Sequence, residues 1–482
     1  MASQWVMDEM ETADLRDKRL ERRLIQLIDT LSEASTASIP AACHDHAEMT
    51  AAYRFFDNER VGFENVFQPH IDASYQRVGN QNVALLVQDT TELDLTRPDS
   101  QVIGAGPLNH ANKQGALLHL LHAFTPDGTP LGTLSAEAWT REPKDEKPKA
   151  KRGSSEKRVQ IARKPFEEKE TFRWLQTAAH CEEIQQHCQQ TQLVMLADRE
   201  CDITEVVDYC TGQQSFDWVI RSDVDRVLNK ARKQDASIKV QDQLGSTKPL
   251  YRQQLSIRSR EQWGSQSLKQ RPGKADRDAW HVDVSVHAGQ VTLNDPRVGH
   301  RDGVSVSAVL VQEIDPPRGV QSVQWLLLTS LPIKTRKQVE LVIAYYLMRW
   351  MIELLFKVLK SGCKIESRRF EHIDRFLPSL ALYLIIAWRS FYVCRVSRTH
   401  SEASCDQVYS EAEWKSVWQM VQGSAPPRQA PGLMDMTKLV AQLGGYVDRK
   451  NSGPPGPQSL WLGLQVMHIM ANCWLSFGPG AT

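Results

Sequence analysis

The sequence lacks paired cysteines and any apolar run long enough to span a membrane. Its nine cysteines are an odd number with no Cys-x-x-Cys pair, which argues against a disulfide framework or a zinc site and fits a reduced cytosolic protein. The most apolar run, Leu380 to Trp388, is too short to cross a bilayer. The N-terminal residues form no apolar signal core, so we expect a cytoplasmic protein without a membrane partner.

The sequence also has no excess of positive or negative charge. The sequence has 58 Lys and Arg against 58 Asp and Glu, so its formal net charge is zero. If the partner is nucleic acid, the positive charge must therefore be concentrated in patches. At 482 residues the chain is long enough for about two to four domains and a substantial core.

What the sequence does contain is one long, mostly apolar stretch, from about Val339 to Ser361, which predicts a largely buried helix. On that helix four polar residues fall within an arc of roughly 60°. They are Tyr346, Arg349, Glu353 and Lys360. Ionised groups on a buried face need partners, metals or a charged ligand. The alternative is a salt-bridged helix face, since Arg349 and Glu353 have the spacing of a common i,i+4 pair.

Two aspartates lie where predicted strands end. The run from Val83 to Val87 predicts a buried strand that delivers Asp89 at its C-terminal end, and a later strand presents Asp198 in the same way. A single such aspartate is usually a cap or a surface residue. Together with Glu353, however, they would form a site of mutually repelling carboxylates, which only bound cations make tolerable. Hard oxygen ligands favour Mg²⁺ or Mn²⁺, and two such ions about 3.5–4 Å apart would hold the attacking and leaving oxygens of a phosphoryl transfer.

Segments on either side of these acids bear on DNA binding and assembly. The run from Asp14 to Leu31 predicts an amphipathic basic helix, which would either contact a DNA backbone or simply be solvated. Residues 141–164 are rich in Lys and Arg and form either an electrostatic track for phosphates or a solvated linker. Residues 222–320 carry short β-type runs and many turn signals, which predict an inserted β-rich subdomain. The last apolar helix predicts either a dimerisation element or a helix that docks on its own core.

The spacing of the four polar helix residues resembles the signature of the insertion-sequence-four family of bacterial DDE transposases. The sequences that begin at Asp89 and Asp198 similarly resemble the D-T-T and D-R-E-x-D blocks of that family. Further matches are AAYRFF in the N-terminal module, the tryptophan of QWLLLTS, and LGGY with GPPGPQSLW near the end. Cys201, inside the second acidic block, can differ from close relatives without changing the set of acids.

The resemblance implies an α/β protein with a ribonuclease H-like catalytic core, an inserted β-rich subdomain, and helical domains at both ends. It implies five segments along the chain. They are 1–72 for the helical domain that binds DNA ends, 73–221 for the first part of the core, 222–320 for the β-rich insertion, 321–395 for the second part of the core, and 396–482 for the helical dimerisation domain.

The resemblance also implies roles for individual residues. Asp89, Asp198 and Glu353 would be the catalytic acids and the ligands of two Mg²⁺ ions, with Mn²⁺ as a substitute. The residues implied to contact DNA are Tyr346, Arg349, Lys360, Trp325, Arg221 and Arg199. Of these, Trp325 would receive a base that leaves the stack during hairpin formation. Without the resemblance, the preferred interpretation of Trp325 is an ordinary core tryptophan.

The function expected from the resemblance is cut-and-paste DNA transposition in the bacterial nucleoid. A homodimer in a synaptic complex would bind the terminal repeats in double-stranded DNA, nick the ends, form and reopen hairpins, and join the 3′-OH ends to target DNA. One alternative is a ribonuclease H-like nuclease that cuts without strand transfer. Another is a non-catalytic DNA-binding repressor, which would bind DNA without Mg²⁺-dependent cleavage.

Overall fold

The computed structural model describes residues 3–142, 165–228, 238–257, 280–293, 303–316, 322–450 and 452–478. The chain divides into two compact units. The first consists of Met1–Ala162, His187–Thr191 and Trp350–Thr482, and the second of Arg163–Gln186 and Gln192–Arg349. Nearly all of the basic run at 141–164 lies outside the described residues, so its role stays a prediction.

The first unit begins with helices α1 Gln4–Glu9, α2 Lys18–Glu33, α3 Ile39–Ala42, α4 His46–Phe56 and α5 Phe63–Gly79. The predicted basic helix is α2. It begins at Lys18, later than predicted, because the side chain of Asp17 accepts the backbone N–H of Arg19 and so caps the first turn. The apolar stripe of α2, which includes Leu24 and Leu27, is buried as predicted.

The strands of the first unit are β1 Val83–Asp94, β2 Gly106–Pro107, β3 Gln114–Phe124 and β4 Pro130–Trp139. Strand β3 pairs antiparallel with β1, β2 and β4. The prediction that the first strand ends just before Asp89 was wrong, because the ladder with β3 continues to the end of β1. Asp89 therefore lies within the strand, opposite Leu120. The predicted turn between β3 and β4 is confirmed, and Gly128 supplies the positive φ of 88° that it needs.

The second unit carries the elements α6 Phe172–His187, whose last residue belongs to the first unit, β5 Gln192–Ala197, α7 Thr204–Gly212, β6 Asp217–Ser222, α8 Val240–Gly245, β7 Tyr251–Ile257, β8 Trp280–Leu293, β9 Val304–Glu313, β10 Gln324–Thr329 and α9 Arg336–Met348. Strands β5 and β6 are parallel. The remaining pairs, β6–β10, β10–β9, β9–β8 and β8–β7, are antiparallel. The strands of the predicted β-rich insertion thus extend the sheet from β10.

The mixed α/β class is confirmed by this element order. Antiparallel strands β1, β3 and β4 come first along the chain, and the run α6-β5-α7-β6 with its parallel strands follows. This order is consistent with the ribonuclease H-like core implied by the resemblance.

The long helix predicted from Val339 to Ser361 is interrupted. Helix α9 ends at Met348, Arg349 keeps right-handed helical φ and ψ, and α10 runs over Trp350–Lys357. A π-helical turn, Val358–Gly362, follows. The prediction of one regular helix was wrong there, because Lys360 lies in the π turn and the regular α-helical spacing does not extend to it.

This helical region is also less buried than predicted. Leu341 and Trp350 are exposed, and Arg349, Glu353 and Lys360 are only partly buried. The partial exposure leaves the three charged side chains within reach of solvent, so their ionised forms carry a smaller desolvation cost than a buried helix would impose.

The first unit ends with α11 Ile373–Thr399, α12 Glu411–Gln422, α13 Leu433–Leu443 and α14 Pro457–Phe477. Side chains from these helices share an apolar cluster that includes Val393, Trp414, Val440 and Leu460. Helices α11 and α14 are long and apolar enough, by length and composition alone, to cross a membrane, which is weak evidence for insertion. The apolar window of α11 is 78% buried inside the protein, as in a core helix, whereas that of α14 is 28% buried.

Candidate active site

Two of the three predicted acids belong to the first unit. Asp89 lies on β1 and is only 6% exposed, and Glu353 lies on α10, which packs against β1. A carboxylate oxygen of Asp89 accepts the backbone N–H of Thr90 at 2.8 Å. The hydroxyl of Thr90 lies 2.7 Å from Nδ1 of His119 on the neighbouring strand β3. Packing of the helix on the strand thus brings the elements of these two acids together.

Lys360 is bound to the same strand. Its Nζ donates a hydrogen bond to the carbonyl oxygen of Glu92 at 2.5 Å and lies 3.7 Å from the carboxylate of Glu366. The same Glu366 oxygen accepts the backbone N–H of Asp94 at 3.0 Å. Glu366 was not among the predicted site residues, although it is the first acid after Lys360 in the chain.

The third acid, Asp198, belongs to the second unit and directly follows β5 as predicted. Its side chain accepts the backbone N–H of Glu200 at 2.8 Å and so caps the 3₁₀ turn Arg199–Cys201. Arg199 is exposed and pairs with Asp223 at 3.4 Å. Cys201 is buried, and burial raises the pKa of its thiol, so the thiol stays protonated and acts as a small core side chain.

Asp202, the last acid of the same sequence block, has a structural role. Its side chain is fully buried and forms an ion pair with Arg226. It also accepts hydrogen bonds from the hydroxyl of Ser222 and from the backbone N–H groups of Asp223 and Val224, at 2.8, 2.8 and 3.0 Å. Asp202 therefore fixes the turn that follows β6.

The second unit also contains the aromatic pair of the predicted site. Trp325 on β10 is half-buried and meets Tyr346 on α9 edge to face, with ring centroids 5.7 Å apart and an interplanar angle of 61°. Tyr346 is only 5% exposed. Arg221 on β6 donates from Nη2 to the carbonyl oxygen of Gln324 at 3.2 Å. These contacts bring Trp325, Tyr346 and the strand of Arg221 together.

The predicted site residues are thus divided between the units. Asp89, Glu353 and Lys360 belong to the first unit. The residues of the second unit are Asp198, Arg199, Arg221, Trp325, Tyr346 and Arg349. In the part of the chain that the structure describes, no group of three or more His, Cys, Asp or Glu side chains is placed to hold a metal ion.

The chemistry of the donor set nevertheless fits hard divalent cations. All three predicted ligands are carboxylates, and the buried Asp89 and the capping Asp198 present oxygen atoms from well-defined backbone elements. Carboxylate oxygens are the ligands that Mg²⁺ and Mn²⁺ prefer.

Comparison with known families gives three matches along the chain. Residues 2–61 match the model described as transposase DNA-binding, residues 169–388 match the transposase DDE domain, and residues 385–474 match the transposase Tn5 dimerisation domain. The three matches follow the order of the domains expected from the sequence. The insertion-sequence-four resemblance is consistent with them.

Among solved structures, one similar chain comes from the cryo-EM structure of a piggyBac transposase synaptic complex with hairpin DNA. The two chains are 10% identical, with a TM-score of 0.32, and the similarity covers 69% of this chain. It covers 52% of the piggyBac chain, so this protein spans about half the length of that relative. A likeness this distant carries no argument about function.

Proposed function

Because the chain belongs to the DDE transposases and resembles the Tn5 transposase, we propose that it carries out cut-and-paste DNA transposition. It binds the ends of its element, cleaves them by hydrolysis and hairpin formation, and joins the free 3′-OH ends to target DNA. The observation that carries the proposal is the sequence of DNA-binding, DDE and dimerisation matches in one chain, with Asp89 and Glu353 on packed elements.

Asp89, Asp198 and Glu353 are the residues that would hold two Mg²⁺ ions, or Mn²⁺ in their place. When bound, such ions offset the charge of the phosphate and make water or a 3′-OH a better nucleophile. The chain supplies the oxygen ligands from a buried strand, a capped turn and a helix, and each of these elements positions its own carboxylate.

The charged residues near Glu353 contact the DNA phosphates in this proposal. Lys360 has three ammonium donors, and one of them is occupied by the carbonyl oxygen of Glu92. The others can donate to a phosphate oxygen beside the strand of Asp89. Arg349 and the hydroxyl of the mostly buried Tyr346 supply further donors, and Arg199 and Arg221 extend the contact surface.

Trp325 serves hairpin formation in this proposal. Its half-buried ring is supported edge to face by Tyr346, and a supported aromatic face can receive a base that has left the stack. An exposed, unsupported tryptophan would pay more side-chain entropy for the same contact.

A homodimer that holds two DNA ends in the bacterial cytoplasm, on the nucleoid, completes the proposal. Helix α14 supports it, because Leu462, Val466 and Ile469 are exposed at the i, i+4, i+7 spacing of one helix face. The helix lies largely within the region that matches the dimerisation model. An exposed apolar face of this kind is typical of a helix that packs against a second chain.

The test uses purified protein, Mg²⁺ and a DNA fragment that carries the ends of its own element, with products resolved on a denaturing gel. Wild type is compared with Glu353→Gln and with the matched control Glu340→Gln, which removes a carboxylate from an exposed i,i+4 pair on α9. Nicks, hairpins and joined products are expected from wild type and Glu340→Gln, and DNA binding without products from Glu353→Gln.

Other outcomes would favour the alternatives. Cuts without hairpins or joining would indicate a nuclease, and binding without any cut by the wild type would indicate a repressor. If Glu353→Gln lost both DNA binding and cleavage, the role of Glu353 as a metal ligand would be contradicted.

A further inference from the structure

Residues 363–373, which we call the joint, run from the end of the π-helical turn to the first residue of α11. The joint is bound to the region of β1. The backbone N–H of Asp94 donates to the carboxylate of Glu366 at 3.0 Å, and Arg97 donates from Nη2 to the carbonyl oxygens of Glu366 and Arg368, at 2.7 and 3.0 Å. The joint is therefore fastened to the strand that carries Asp89.

Arg368 fastens the joint to the N-terminal module as well. Its Nη2 donates to the carbonyl oxygens of Ser35 and Cys363, both at 2.5 Å, and its Nη1 donates to the carbonyl oxygen of Ala37. Ser35 and Ala37 lie between α2 and α3, inside the region that matches the DNA-binding model. One guanidinium thus connects the DNA-binding region to the segment that follows the helix of Glu353.

The surroundings of Arg368 are unusual for a charged side chain. It is only 5% exposed, no carboxylate among the described residues forms an ion pair with it, and its Nε has no hydrogen-bond partner. The ring of Tyr383, 4.2 Å away, and the three carbonyl oxygens are what offset the loss of water. An apolar residue would avoid this cost. The planar guanidinium instead makes the contact geometrically specific. It can donate to all three carbonyl oxygens only when the loop after α2 and the joint hold one relative position.

Aromatic contacts reinforce the same connection. Phe370 of the joint packs edge to face against Tyr53 and Phe56 of α4, with centroids 6.4 and 5.7 Å apart. Arg375, in the first turn of α11, pairs with Asp57 at 2.5 Å. The N-terminal module therefore contacts the joint at two separate places, the loop after α2 and the end of α4.

We propose that Arg368 is a positioning residue that couples the N-terminal DNA-binding module to Glu353. The joint follows directly after the helical segment of Glu353, so a shift of the module when it binds a DNA end reaches that carboxylate through Arg368. Burial keeps Arg368 itself away from DNA phosphates. The inference rests on the proposed function and adds to it the path by which end binding prepares cleavage.

The experiment compares wild type with Arg368→Gln, Arg368→Lys and the exposed neighbour Arg369→Gln as a matched loss of charge. DNA-end affinity is titrated over a range of salt concentrations, and cleavage is followed in preformed complexes after Mg²⁺ addition. We expect Arg368→Gln to bind within about threefold of wild type with the same salt dependence, and to cleave at least about tenfold more slowly, since small misplacements of a catalytic group have large effects. Arg368→Lys should not restore the cleavage rate, because lysine keeps the positive charge but lacks the planar guanidinium with its several donors. Arg369→Gln should cleave like wild type once bound.

Three results would overturn the proposal. Full cleavage by Arg368→Lys, or a salt slope for Arg368→Gln that falls by about one, would mean a phosphate contact. Wild-type cleavage rates in a folded Arg368→Gln would mean a purely structural residue.

Hydrogen exchange on the wild type tests the coupling without a variant and without cleavage. Binding of the end fragment should slow exchange at residues 363–373 as well as in 2–61. Protection confined to 2–61 would contradict the coupling even if the variants do not fold. Failure of the wild type to cut any DNA, by contrast, would contradict the proposed function and leave this exchange result to decide the coupling.

Discussion

Lys360 donates a hydrogen bond from Nζ to the carbonyl oxygen of Glu92, and the bond joins the π-helical turn to β1. The carboxylate of Glu366, 3.7 Å from the same ammonium, supplies a counter-charge. The lysine is therefore placed beside the strand of Asp89, and the carboxylate of Glu366 partly neutralises its ammonium group.

Glu366→Gln should raise the affinity for DNA ends by about two- to fivefold. The amide oxygen can still accept the N–H of Asp94, whereas the negative charge next to Lys360 is gone and the ammonium is freer to neutralise a phosphate. Thermal unfolding should show a loss of no more than about 1 kcal/mol, as for a partly exposed ion pair. Fluorescence anisotropy measures the affinity, with Lys360→Met as the opposite control. Equal affinities of wild type and Glu366→Gln would show that Glu366 does not restrain Lys360.

Asp198→Asn should affect cleavage and Asp202→Asn should affect stability, although the two residues belong to one sequence block. Asp198→Asn should abolish cleavage and leave the melting temperature near wild type, because its side chain caps a partly exposed turn and the asparagine oxygen can still cap it. Asp202→Asn should lower the free energy of unfolding by about 3 kcal/mol, because it leaves the charge of the mostly buried Arg226 uncompensated. Calorimetry and the cleavage gel measure both. A stable, active Asp202→Asn protein would contradict its structural role.

Trp325→Ala should spare first-strand nicking and impair the hairpin step. The same change removes the edge-to-face contact with Tyr346, which should cost about 1 kcal/mol of stability. Trp325→Phe keeps an aromatic face and should retain most of the hairpin yield, which separates base stacking from loss of packing. Nicked and hairpin products are quantified on the same denaturing gel. Normal hairpin yield from Trp325→Ala would make Trp325 an ordinary core residue.

The stability of the first unit should fall on acidification because of a buried cluster around Glu9. Glu9 is 4% exposed, accepts two hydrogen bonds from Arg77 at 2.9 and 3.0 Å, and lies 2.5 Å from Nδ1 of His70. Nε2 of His70 accepts the backbone N–H of Thr133 at 3.0 Å, so His70 is held neutral with its proton on Nδ1. Burial lowers the pKa of His70. Burial also acts to raise the pKa of Glu9, but the hydrogen bonds from His70 and Arg77 and the positive charge of Arg77 outweigh it and lower that pKa.

The lowered pKa values of His70 and Glu9 both make the native state less stable as the pH falls. A group whose pKa is lowered by folding stabilises the native state above its unfolded pKa and loses that contribution as the pH falls. We expect the melting temperature to decrease below about pH 6.5 as unfolded His70 binds a proton, and to decrease further below about pH 4.5 through Glu9. Glu9→Gln should lose about 3 kcal/mol at pH 7 and show a shallower decrease below pH 4.5. A melting temperature constant from pH 7 to 4 would exclude this role for the cluster.

Much of the fold could be predicted from the sequence because its signals are local. The leucine spacing of α2 and the buried runs of β1 and β5 identify these elements without reference to the rest of the chain. Pairing with β3 could not be seen this way. The polar residues from Gln88 onward look like a strand end, yet the ladder holds them in extended backbone to Asp94.

The candidate site, like the fold, was only partly predictable from the sequence. Spacing along the chain singled out Tyr346, Arg349, Glu353 and Lys360, and the resemblance added the roles of Asp89 and Asp198, which remain proposals. The partners of these residues were not predictable from sequence, because Lys360 bonds Glu92 across 268 residues.

The sequence by itself determined the family, the element types and the identity of the chemically capable side chains, because motif spacing and hydrophobic periodicity are properties of neighbouring residues. Only the tertiary structure showed that Asp202, four residues after the candidate acid Asp198, is a buried structural residue paired with Arg226. It also decided that the buried Arg368 holds together segments more than 300 residues apart, Ser35 being 333 residues away. The physical reason is that burial, and the hydrogen bonds that must compensate for it, depend on which distant segments fold against each other.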